Sequence, residues 1–161
     1  MRGGALPPAL LLAALGLALA AASPRVWVWS LIALGVTLAA ASQASVPGGW
    51  LEIVFLGCWA SVVATAAAVH LPRGPGLWGG IVFSVNAGVW AGAVLALTGS
   101  RLDLLKAAPS VLIVLPAAWL IQRRAGIAVK VVSSWLIAVA ILAAVLPFLP
   151  VTPGYLPDHL E

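Results

Sequence analysis

Charge is what this chain has least of. Only 12 of its 161 residues are charged, 8 Lys+Arg and 4 Asp+Glu, or 7%, where soluble domains carry roughly 25%. So few charges cannot cover a surface that faces water, which excludes a soluble globular domain. The single cysteine, Cys58, excludes an intramolecular disulfide scaffold, and no Cys/His cluster has metal-ligand spacing, so no metal and no cofactor are expected. The scarcity of acids lifts the isoelectric point to about 10.3. In a soluble protein that value would suggest nucleic acid. Here the eight basic residues are scattered between apolar runs, a pattern of membrane topology, so the expected surroundings are the lipid bilayer and no nucleic acid.

What the chain does have is apolar length. Hydrophobic residues make up 63% of it, with a mean hydropathy of +1.16, which excludes disorder and a collagen-like repeat. Cutting the sequence at its charges and His70 leaves six apolar stretches: 3–24, 26–51, 53–69, 74–100, 107–122 and 131–157. A helix that crosses a hydrocarbon core of about 30 Å needs roughly 20 residues. The reading is an all-α, polytopic transmembrane bundle with helices near 5–22, 27–45, 50–70, 76–99, 107–122 and 131–149. The fifth stretch is short and holds Pro109 and Pro116, so five spans plus a re-entrant segment is the alternative.

The N-terminal stretch has a second reading of its own. Met1-Arg2, an apolar run and Ala18–Ser23 resemble a secretory signal with a small-residue cleavage site. Pro7 and Pro8 near its start and the length of the run favour a retained helix. Breaker clusters at Ser23-Pro24, Val46–Gly49, Leu71–Gly76 and Gly99-Ser100 separate the helices. The connections are short, so residues 1–150 form one bundle domain and 151–161 a short acidic tail. Trp27, Trp29, Trp50, Trp78, Trp119 and Trp135 fall near proposed helix ends, where an indole N–H can reach the headgroups. A similarity between 12–23 and 31–42, nine of twelve positions, is read as shared Ala/Leu composition.

Loop charges set the expected orientation in an inner (plasma) membrane of bacterial type. Arg25, Arg73, Arg123, Arg124 and Lys130 would lie on one side. Arg2, Arg101, Lys106 and all four acids would lie on the other. The more basic side is expected to be cytoplasmic and both termini outside.

Few residues carry candidate chemistry. Gly76, Gly80, Ser84, Gly88, Gly92 and Ala96 recur every four residues in the fourth span, drawing a stripe without bulky side chains at about 100° per residue. Such stripes let backbones approach closely. Gly80, Ser84, Gly88 and Gly92 are therefore a candidate packing seam, either within the bundle or against a homo- or hetero-oligomeric partner. Asn86 lies at mid-depth in the same span, where an unpartnered amide is costly, so it should meet protein or water. Its readings are an interhelical hydrogen bond and a substrate or ion contact. Glu52 stands in the first turn of the third span, where the helix dipole favours a carboxylate; a proton- or cation-coupled role is the alternative. Glu52 and His70 are separated by 18 residues, about 27 Å of helix, and cannot act as a pair. No catalytic group is assigned. The expected role is a non-catalytic subunit or accessory of a membrane complex. A small permease-like transporter is the alternative, and a lipid-modifying enzyme fits the residues less well.

Overall fold

A helix that is apolar on every side has no face to offer water and belongs in the centre of a bundle. The first apolar stretch, Leu-Pro-Pro-Ala-Leu-Leu-Leu-Ala-Ala-Leu-Gly-Leu-Ala-Leu, takes that place. In the computed structural model, which describes residues 6–72, 74–98 and 107–149, it forms α1 (Leu6–Leu19). Pro7 and Pro8 sit in the first turn, where no intrahelical N–H is lost. The following α-helices are α2 (Pro24–Ser42), α3 (Leu51–Ala67), α4 (Leu77–Thr98), α5 (Val114–Gln122) and α6 (Gly126–Val145). Single 3-10 turns, Gly48–Trp50 and Ala68–His70, flank α3, and Leu146–Phe148 follows α6. A longer 3-10 stretch, Ala108–Ile113, leads into α5. Among the described residues there is no strand. The fold is an all-α bundle.

Around α1 stand α3, α4, α6 and the Ala108–Gln122 segment, and its Leu11, Leu12, Leu15, Leu17 and Leu19 are buried. α3 packs on α4 and α6, while α2 lies outside and packs chiefly on α4. Four segments are long and apolar enough to cross a membrane: Pro24–Ser42, Gly48–His70, Leu77–Leu97 and Gly126–Phe148. They hold 19 to 23 residues, or about 28–35 Å of helix, which matches a hydrocarbon core of about 30 Å. Leu6–Leu19 and Ala108–Gln122 are apolar but shorter.

Two boundaries differ from the sequence expectation for local reasons. The last helix starts at Gly126 and not at 131. A lysine is a good helix former and keeps its ammonium at the helix surface, so Lys130 does not interrupt it. The expected 123–130 loop shrinks to the turn 123–125. The fifth stretch is 3-10 up to Ile113 before becoming α-helical. Pro109 stands at its start, and Pro116 takes away the N–H that would bond Leu112, so the regular α-ladder begins late. The expected tail, 151–161, lies outside the described residues.

Polarity runs opposite to that of a water-soluble bundle. Ser30, Ser61, Thr65, Ser84 and Ser133 are buried, whereas Val28, Trp29, Val36, Trp78, Val131, Trp135 and Leu142 are exposed. Small hydroxylated residues inside and large apolar ones outside suit a lipid surround, where close backbone packing replaces hydrophobic exclusion as the force between helices.

Candidate functional site

Starting from the stripe, α4 meets α2 along Gly80, Ser84, Gly88 and Gly92, each of which is buried. A methyl placed on Gly80 would lie 2.7 Å from Ser30 Oγ and from Val26 Cγ1. One on Gly88 would collide with Thr37 Oγ1 and come within 3.0 Å of the Leu34 carbonyl. At Gly92 it would lie 2.6 Å from Ala41 Cβ and 2.9 Å from the Leu38 carbonyl. The two backbones are therefore in contact over three helical turns. The hydroxyl of Thr37 turns back onto its own helix, donating to the Ala33 carbonyl at 2.7 Å, which leaves it satisfied at this crowded point. Ser30 and Ser84 bury hydroxyls with no hydrogen-bond partner, so what they bring to the seam is small size.

Asn86 faces the opposite neighbour. Its Nδ2 donates to Ser61 Oγ on α3 at 3.0 Å, and the Ser61 hydroxyl lies 3.3 Å from Asn86 Oδ1. One rung further along the same interface, Trp90 lies over Gly57, where a methyl would strike the indole ring. A second interhelical bond, from Ser133 Oγ to the Ala66 carbonyl at 2.6 Å, ties α6 to the end of α3. Trp27 Nε1 donates to the Leu19 carbonyl at 2.7 Å and so closes the C-terminus of α1.

Among the described residues, a cavity lies at each end of the bundle. At the end where α3 begins, a cleft of about 740 Å³ runs between α1, α3 and the end of α6. Leu6, Phe55, Trp59 and Phe148 line it, and Glu52 is the one charged side chain that the described residues bring to it. Glu52 is exposed, in the first turn of α3. At the other end a half-open cavity of about 470 Å³ lies between the close of α1, Val69, Leu71, Pro72 and Gly74, and the α5–α6 turn, and it carries Arg124 and Lys130. Arg123, beside them in sequence, turns away and places its guanidinium 5.2 Å from the Trp119 ring centre. His70 Nε2 at this end lies 3.4 Å from Ser134 Oγ. Glu52 and His70 thus stand at opposite ends of α3.

Gly57 and Gly16 are close-contact positions too, and neither stands out in the sequence as the long stripe of α4 does. A methyl on Gly16 would lie 2.7 Å from the Val111 carbonyl and from Ile113 Cγ2. Their neighbours come from distant segments, which only the fold brings near. No group of three or more His, Cys, Asp or Glu side chains that could hold a metal occurs among the described residues. Comparison with family models, curated proteins and solved structures finds no match to this chain.

Proposed function

We propose that the chain is a multi-pass integral protein of the inner (plasma) membrane and serves as a non-catalytic subunit or accessory of a larger membrane complex. The observation that carries this reading is the Ser61–Asn86 pair. Carriers place ionisable groups inside the membrane along the path of their cargo, whereas the polar pair at mid-span here is neutral and binds helix to helix. The charged side chains of the described residues, Glu52, Arg25, Arg123, Arg124 and Lys130, stand near helix ends and are exposed. Large apolar residues on α2 and α6 supply faces for lipid or a partner helix.

A permease-like carrier is the second reading, favoured by one feature. The cleft beside Glu52 joins a carboxylate to an apolar, aromatic wall, a combination that suits an amphiphilic cation. Native-mass measurement after extraction in a mild detergent separates the two. A stable complex with other chains supports the subunit, and a lone monomer or homodimer supports the carrier.

A further inference from the structure

The turn between α5 and α6 places an arginine where the backbone favours glycine. The Arg124 N–H bonds the Ile121 carbonyl at 3.0 Å and the Ala125 N–H bonds the Leu120 carbonyl at 2.8 Å. This is the paired closure of a helix C-terminus whose central residue must adopt the left-handed conformation. Arg124 does so, with φ at 63°. That conformation crowds the Cβ of any L-residue against the following carbonyl, so a side chain there carries a steric cost. An arginine needed only to mark topology would serve equally at the neighbouring positions of the turn.

Arg124 is matched by its surroundings. Gly74, at φ 63°, is the other residue with positive φ among the described residues, and it lines the same cavity. Lys130 reaches the cavity from one turn into α6. The first turn of α6, which carries the positive end of its dipole, has no side-chain cap and borders the cavity at Gly126 and Ile127. Among the described residues no acid lines this space, and Glu52, the one acid among them, is at the far end of the bundle. The rest of the wall is apolar, with Leu17, Val69 and Ile121 among its members.

We propose that this cavity binds the phosphate group of an anionic ligand, with Arg124 and Lys130 as its cationic partners and the uncapped start of α6 supplying backbone N–H donors. Paired cations and a helix N-terminus are the complement of a phosphate oxyanion, and the volume of about 470 Å³ admits a headgroup or a small phosphate ester. Two sources carry this chemistry, an anionic phospholipid and a soluble phosphate. The site stands whether the chain is a complex subunit or a carrier.

The test uses the full chain purified in a neutral maltoside detergent. One arm measures retention of phosphatidylglycerol against phosphatidylcholine by native mass spectrometry. The other measures the rise in thermal midpoint on adding inorganic phosphate or glycerol phosphate at low ionic strength. In whichever arm responds, Arg124→Gly and Lys130→Gln should each weaken the response by about tenfold, the scale of one charge-assisted hydrogen bond. Arg123→Gln, whose parent side chain is engaged with Trp119, should leave it unchanged. Arg124→Gly relieves the backbone, so its midpoint without ligand should be no lower than that of the parent chain. A response in the first arm alone assigns the site to a lipid headgroup, and a response in the second admits soluble phosphate. No response in either arm overturns the proposal, as does a response that survives both Arg124→Gly and Lys130→Gln.

Discussion

Replacing Gly92 with alanine tests the contact between α2 and α4 most directly, because nothing near it can rotate away. The added methyl would meet Ala41 Cβ at 2.6 Å, the Leu38 carbonyl at 2.9 Å and the Ser42 nitrogen at 3.0 Å. All three are backbone atoms or a Cβ, so relief requires the helices to part by about 0.5–1 Å to regain ordinary carbon contacts. Overpacking of this kind costs about 1–3 kcal/mol. Alanine also favours a helix over glycine by about 1 kcal/mol, which hides part of the loss. Gly35 supplies the correction. It lies inside α2, exposed, and a methyl there meets nothing within 4 Å. Gly35→Ala therefore carries the propensity gain alone, and the difference between the two variants should be about 1–3 kcal/mol against Gly92→Ala. Unfolding in mixed micelles of rising dodecyl sulfate content, followed by circular dichroism, measures both. Equal shifts for the two variants would refute the close approach of the helices.

Three further outcomes follow from other parts of the bundle. Alanine at Ser61, at Asn86 and at both should give a coupling energy of about 0.6–1.7 kcal/mol, the range of membrane hydrogen bonds; strictly additive losses would remove the bond from the account. Mature protein from the membrane should retain residues 1–23, because α1 fills the centre of the bundle, and a chain lacking them should fail to survive detergent extraction. An intact mass beginning after Ser23, from a stable protein, would contradict this. A reporter active only in the cytoplasm should stay silent when fused after Glu161, and activity there would reverse the expected orientation.

Much of the architecture is legible in the sequence because charge and proline interrupt the apolar runs where the chain turns. The stretches 26–51, 53–69 and 74–100 contain α2, α3 and α4 almost whole. Lys130 misled at the start of α6, since a charged residue marks a helix end only if the helix must bury it. The four-residue period in α4 announced a smooth face, yet small residues carry no address. That the face meets α2 at Thr37 and Ala41 depends on how the helices cross. The two cavities were hidden for the same reason, because each is walled by segments far apart in sequence. Nothing in Arg123-Arg124-Ala125 signals a left-handed residue, where glycine or asparagine would have done so.

The central place of α1 has a consequence for how the chain matures. α1 precedes every helix that covers it, so on the proposed membrane reading its leucines meet lipid first and exchange it for protein as the later helices arrive. Leucine gains little by that exchange, because acyl chains are as apolar as the bundle interior, and the drive must come from close fit. The fit at Gly16 waits for Val111 and Ile113, the latter 97 residues further along the chain. Consolidation of the centre is thus a long-range and late event, entropically slow to nucleate. A larger residue at Gly16 would leave each helix free to form and enter the bilayer, and would act on the final docking of Ala108–Gln122, lowering the yield of finished protein more than the stability of any single helix.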